Sequence, residues 1–275
     1  MSKNNKVRVT GRKGLGKLSG FGVATEMEVR FVHAGQAICL RLNYDELRQW
    51  QARHHSRDYE PTIVTERSGS TRDKSGVEIR LRKLHRTTAI SADEVRMGLA
   101  RRLNFIGSKF QVTVNAQAIK PGDRVRKSDC APGFCWDVAG LPGKGVISTG
   151  QKITGWIGFL KESSHNERGV DIFANEKAAE LESSFNFSST HAQFARAHLV
   201  GEIHADFLDA KEDLIATARN SVVWESNDGL ALQAWGQNAL RWAFEKWVEL
   251  RREEKEKLIL TTVGFDRWLE TRLPT

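Results

Sequence analysis

Gly11-Arg12-Lys13-Gly14-Leu15-Gly16-Lys17-Leu18-Ser19-Gly20-Phe21-Gly22-Val23-Ala24 is the stretch on which the reading of the whole chain turns. Closely spaced glycines let a backbone turn sharply and approach a phosphate chain without obstruction. A helix beginning after Gly16 would aim free N–H groups at that anion, and Lys17 would add a positive charge. Phosphate binding is the physical expectation. The plainer alternative is a glycine turn with a solvated lysine, because short motifs match by chance often.

Working outward, hydrophobic periodicity supplies the frame. Val7-Arg8-Val9 reads as a short extended segment and Lys17 to Thr25 as a helix start. Glu26 to Val32, Ala37 to Leu42 and Val77 to Leu84 alternate charged with apolar residues, as half-buried strands do. Ser91-Ala92-Asp93-Glu94 reads as a capping box opening a helix, with Val95, Leu99 and Leu103 on one face. Phe110, Val112 and Val114 form another alternating strand. Lys152 to Leu160, Val170 to Ala174 and Val200 to Phe207 read as strands, and His191 to Leu199 as a short helix. Leu230 to Lys257 is a long helix with Leu232, Trp235, Ala239, Trp242 and Leu250 at helical spacing. From Ile119 to Gly150 the pattern lapses around Pro121-Gly122, Pro132-Gly133 and Pro142-Gly143, which sets a domain junction there. Trp50 is the only tryptophan of the first half, against seven in the second. Strands mixed with helices in both halves give an α+β fold in two domains, residues 1–125 and 126–275.

Two families of phosphate loop compete for the glycine stretch. Against a Walker A loop, Gly11, Gly16 and Lys17 sit correctly, but Leu18 stands where Ser or Thr must hold magnesium. That reading is excluded. The stretch resembles the second glycine box of the GHKL ATPases, the superfamily of gyrase, heat-shock chaperones, histidine kinases, MutL and MORC. The resemblance implies the C-terminal portion of a GHKL two-layer α/β sandwich, followed by an α/β transducer-like domain with a long C-terminal helix. It implies that Gly11, Gly14, Leu15, Gly16, Lys17, Leu18 and Ser19 line ATP phosphates under a lid helix. Ser75-Gly76-Val77-Glu78-Ile79-Arg80-Leu81 resembles the strand at the adenine pocket, with Gly76 as a backbone contact and Val77 in place of the usual Thr. Asp213 to Ser221 resembles the loop that returns a basic residue to the γ-phosphate, which gives Arg219 a catalytic role, with Lys211 as the weaker candidate.

The same resemblance implies a helix carrying a catalytic Glu and a magnesium-binding Asn, and an Asp-x-Gly-x-Gly segment, all before the lid. Only Met1 to Thr10 stand there, so ATP and Mg binding are conditional on a segment the chain lacks, and hydrolysis is compromised. An internal start within a longer reading frame is the preferred explanation, ahead of a truncated product or a second polypeptide. The function implied is an ATP-gated clamp in DNA repair, chromosome maintenance or defence. The alternative is a basic nucleic-acid-binding protein without nucleotide turnover.

Composition bounds the partners. The formal charge is +8 with pI ≈ 9.5, hydrophobic residues make up 40% and charged residues 28%. That is enough apolar matter for real cores, and the basic balance permits DNA as a partner. No apolar run suits a membrane span and the N-terminus lacks a signal-peptide core, so a cytoplasmic protein is expected. A homodimer or a completing partner chain is expected too. Cys39, Cys130 and Cys135 share no C-x-x-C spacing and read as reduced thiols, Cys135 as buried packing. Glu202, His204 and Asp206 would share one strand face as weak metal ligands, against a polar strand face; no metal site is assigned. The tryptophans of the long helix read as core or dimer contact before a base-stacking platform. Arg80-Leu81-Arg82-Lys83 and Arg101-Arg102 could touch phosphates or be solvated faces.

Overall fold

The computed structural model describes residues 15–53, 59–67, 74–106, 110–163, 168–188, 193–210, 213–216, 218 and 220–263. The chain divides into two compact units, Met1–Ile90 and Ser91–Thr275. Both mix strands with helices, so the fold is α+β, and it ends in a long helix. Residues 91–125 cluster with the second unit.

In the first unit a 3-10 helix, Leu15–Gly22, leads into four antiparallel strands: β1 (Ala24–His33), β2 (Gln36–Asn43), β3 (Thr62–Arg67) and β4 (Gly76–Leu84), in the order β3-β2-β1-β4. The α-helical start expected from Lys17 is this tighter 3-10 helix instead. Gly20 explains part of its glycine content, because a Cβ there would lie 2.8 Å from Leu81 Cδ2 and 3.1 Å from Met27 Sδ. Ala34 and Gly35, at φ 47° and 78°, make the two-residue turn that joins β1 to β2, as the strands' right-handed twist favours. Helix α1 (Tyr44–Arg53) follows β2 at once. Asn43 Oδ1 caps it by accepting from the N–H groups of Asp45 at 2.9 Å and Glu46 at 3.3 Å. Asp45 and Glu46 in its first turn and Arg53 in its last complement its dipole.

The second unit opens with α2 (Ala92–Arg102). Ser91 sits at its N-cap, but its side chain makes no capping hydrogen bond; its carbonyl instead accepts from Val95 N at 3.1 Å. The expected strand from Phe110 to Val114 shrinks to β5 (Thr113–Val114), paired with β6 (Gln117–Ala118). A five-stranded sheet follows: β7 (Cys130–Asp137), β8 (Thr154–Leu160), β9 (Gly169–Ala174), β10 (Lys177–Ser183) and β11 (Leu199–His204), in the order β10-β9-β11-β8-β7. The β9–β11 pair is parallel and the others antiparallel. Helix α3 (Gln193–Arg196) precedes β11, and α4 (Asn227–Val263) closes the described chain.

Alternation divides this sheet cleanly. Ile157 and Phe159 of β8, Val170 and Ile172 of β9, and Leu199 and Ile203 of β11 join Leu232, Trp235, Ala239, Leu240 and Phe244 of α4 in one core. Each such large side chain contributes roughly 1.5–3 kcal/mol on burial. Trp136, Trp242 and Trp247 pack against that core, with Trp136 and Trp242 ring centroids 5.3 Å apart. Beyond Leu250 the side chains from Arg251 to Lys257 are all charged and exposed.

Candidate nucleic-acid interface

Register decides which side chains of the first sheet meet. Glu28 of β1 lies opposite Arg41 of β2 and Arg80 of β4, while Glu26 lies opposite Asn43 and Arg82. Arg30 lies opposite Cys39 and Glu78. All therefore share one face. At its centre Glu28 is buried, 6% exposed. Its Oε1 accepts from Arg41 Nη2 at 2.9 Å and Nε at 3.2 Å, and its Oε2 from Arg82 Nε at 3.0 Å.

One carboxylate thus orients two guanidiniums whose side chains remain 44% and 52% exposed. Beside them Arg80 Nε donates to Glu78 Oε1 at 2.8 Å, and Lys83 Nζ lies 2.5 Å from Glu26 Oε1. Glu28, Arg30, Cys39, Arg41, Arg80 and Arg82 line an open concavity of about 410 Å³. Strand geometry spaces Arg80 and Arg82 about 6.8 Å apart along β4 and sets β2 about 9.6 Å across from it. A polyanion with one charge per ~3.4 Å of each strand can meet several of these cations at once.

Electrostatics favour the charged forms of Glu26, Glu28 and Arg41. The Arg41 hydrogen bond holds the Glu28 carboxyl below the usual carboxylate range, with Arg82 adding to the effect and burial opposing it. Lys83 does the same for Glu26, and Glu28 raises the Arg41 guanidinium further. The long-range field points the same way. Met1–Ile90 holds 18 Lys and Arg against 9 Asp and Glu, a net +9, whereas Ser91–Thr275 holds 24 against 25, a net −1. The whole basic excess of the chain lies in the unit that carries the arginine face.

The other residues singled out by sequence fall elsewhere. Gly11, Gly14, Lys211 and Arg219 lie outside the described residues. Leu15, Gly16, Lys17, Leu18 and Ser19 form the 3-10 helix, with Leu18 and Ser19 exposed. Gly76 opens β4 opposite Val32, with open space where a Cβ would be. Glu202, His204 and Asp206 are engaged within the fold. Glu202 Oε1 lies 2.9 Å from His204 Nε2 and accepts from Asn104 Nδ2 at 3.2 Å, its Oε2 lies 3.3 Å from Arg124 Nη2, and Asp206 Oδ1 accepts from Asn175 N at 2.8 Å.

On the neighbouring strand Asp171, opposite Glu202, receives Arg101 Nε and Nη2 at 2.8 Å each. These pairs fasten α2 and the segment around Arg124 to the sheet face opposite α4. Among the described residues no group of three or more His, Cys, Asp and Glu could hold a metal ion. Also among them, no helix is long and apolar enough to cross a membrane.

No family model matches the chain. It is 27% identical over 273 residues to a protein of Herpetosiphon aurantiacus provisionally named as the type II restriction enzyme HgiDII. The match covers 89% of this chain and 43% of that protein, so the chain spans less than half the length of its relative. This comparison overturns the GHKL resemblance and with it the ATP-gated clamp and its DNA-repair and transducer associations. ATP is left without support as a ligand. In the same stretch Gly20 packs tightly under Leu81 and Met27, a use of close glycines as ordinary as phosphate approach.

Proposed function

We propose that this chain is a DNA-directed part of a restriction-type protein, and that its first unit grips the duplex backbone through the face bearing Arg30, Arg41, Arg80 and Arg82. Restriction enzymes act on DNA, and the relative bears that name. The carrying observation is the confinement of the basic excess, +9 in Met1–Ile90 against −1 in Ser91–Thr275, to the unit that displays those arginines. Guanidiniums pre-set by a buried carboxylate lose less freedom on meeting a phosphate than free side chains do. Phosphate contacts position a protein on DNA and carry no sequence information themselves. The proposed role places the chain in the cytoplasm beside its DNA, as a homodimer if it reads two half-sites.

Magnesium is the cation such a nuclease would use, and the described residues do not fit it. Asp171 and Glu202 are adjacent carboxylates, yet Arg101 and Arg124 already neutralise them. No hydrolytic step is therefore assigned to them. DNA association is the part of the role that these residues support. The test is equilibrium binding of the chain to a labelled duplex of arbitrary sequence between 50 and 200 mM salt. Four phosphate contacts give log K falling with log salt at a slope of about −3.6. Undetectable binding, or an affinity indifferent to salt, would overturn the proposal.

A further inference from the structure

Cys130 and Cys135 stand five residues apart in sequence, and β7 brings them together. Its register sets Cys130 opposite Leu160 and Cys135 opposite Gly158, so the segment Ala131 to Phe134 bulges out between two positions that are only two residues apart on β8. Gly133 takes φ 81° in this bulge, and Phe134 anchors it in the core. Leu160 and Gly158 share a face, so their cysteine partners do too. Two residues of strand span about 6.8 Å, and a disulfide joins Cα atoms ~4.4–6.8 Å apart.

Both sulfurs also converge on one spot. A Cβ at Gly158 would lie 2.7 Å from Cys130 Sγ and 3.1 Å from Cys135 Sγ. The missing side chain at Gly158 leaves the space in which the thiols meet. Both cysteines are reduced and partly accessible.

We propose that Cys130 and Cys135 form a reversible intrachain disulfide by exchange with a low-molecular-weight disulfide such as oxidised glutathione. The Cys135 thiolate attacks one sulfur of the oxidant, forming a mixed disulfide and releasing one glutathione thiolate. Cys130 then loses its proton and attacks the Cys135 sulfur, forming the intrachain bond and releasing the second glutathione thiolate. Two electrons pass to the oxidant, whose two thiolates take up the two protons that the cysteines lose.

The directions of the two thiol shifts favour this order, while the Lys127 cation lowers both thiols. The Cys130 hydrogen bond holds the Cys135 thiol below its ordinary range despite burial, and the Lys127 cation helps. Lys127 is itself fixed by Asp137, with Nζ at 2.6 and 2.7 Å from the two carboxylate oxygens. The same hydrogen bond, with burial, pushes the Cys130 thiol up, which suits the resolving partner. The product would staple the two ends of the bulge on an edge strand of the sheet.

The test treats the full chain with oxidised glutathione and follows thiol count, intact mass and peptide maps. Free thiols should fall from three to one, with loss of two hydrogens and a linked Cys130–Cys135 peptide. Reductant should restore all three. Cys130→Ser should accumulate a glutathione adduct on Cys135, and Cys39→Ser should respond like the parent chain. Three persisting thiols, a stable glutathione adduct on the parent chain, or a bridge to Cys39 would overturn the proposal. Faster adduct formation in Cys135→Ser than in Cys130→Ser would overturn the order of attack. If a serine variant fails to fold, the peptide map of the parent chain still decides.

Discussion

Arg41 and Arg82 provide the sharpest test of the proposed DNA interface, because both are aimed by one carboxylate and each keeps about half of its side chain in solvent. Replacing both with Gln removes two charges from the four arginines that line the face. Each phosphate contact adds about 0.9 to the salt slope of DNA binding, so the slope should fall from about −3.6 to about −1.8. Between 50 and 200 mM salt the parent chain should then lose affinity ~150-fold and the double variant only ~12-fold.

Fluorescence anisotropy on a duplex of arbitrary sequence measures both slopes directly. Arg41→Lys with Arg82→Lys should keep the parent slope, since charge survives even where the two-pronged grip on Glu28 is lost. Arg251→Gln with Arg252→Gln serves as the control, because those arginines sit on the exposed end of α4 among Glu254 and Glu256. A double Gln variant that melts like the parent yet keeps the full slope would refute the reasoning. So would a control pair that lowers the slope equally.

Glu28 should make the first unit acid-sensitive. Its folded pKa is depressed, so its contribution is complete above the ordinary carboxylate range near ~4.3 and is lost as pH falls through the lowered folded value. Hydrogen exchange in β1, β2 and β4 should accelerate in that window, and Glu28→Gln should flatten the dependence. Gly236→Ala would place a Cβ 2.2 Å from Phe185 Cγ, where Phe185 is fully buried; a loss of about 1–3 kcal/mol is expected by tryptophan-monitored denaturation. Arg101→Ala strips Asp171 of its ion pair and leaves it only the hydrogen bond from Glu182 N, at a cost of about 3 kcal/mol in the same assay.

Elements with strict periodicity were legible in sequence, and elements shaped by exceptions were not. β1, β2 and β4 show alternation that pairing then uses, β8, β9 and β11 carry the short apolar runs of strands buried on both faces, and α4 keeps one apolar stripe from Leu232 to Phe244. β7 hides because its bulge contains Pro132-Gly133, which reads as a turn, and β10 hides behind two register shifts. α1 buries no residue and so has no apolar stripe to find, although Asn43 ahead of Asp45-Glu46 was a readable cap. The arginine face was half visible. Alternation shows that Glu26, Glu28 and Arg30 share a side, but not which side is covered. In the fold Glu28 is 6% exposed while Phe31, on the other face, is 40% exposed. Pairing across strands made the carboxylate the buried member, and pairing is not written in any one strand.

The two units solve opposite problems. In the second, α4 lies on the sheet and a large apolar core forms, so a near-neutral charge suffices. In the described part of the first, the buried hydrophobic residues are only Phe21, Ala24, Met27 and Val32. A thin core must there hold together a sheet that carries a net +9 with its surrounding segments. Self-repulsion of that size weakens a compact state, and Glu28 offsets it locally by tying β2 and β4 to β1 through their arginines. A duplex backbone would offset the remainder, since a ligand that binds only the folded form stabilises it. Under the proposed duplex contact, the same cations that strain the unit in isolation would couple its folding to that polyanion.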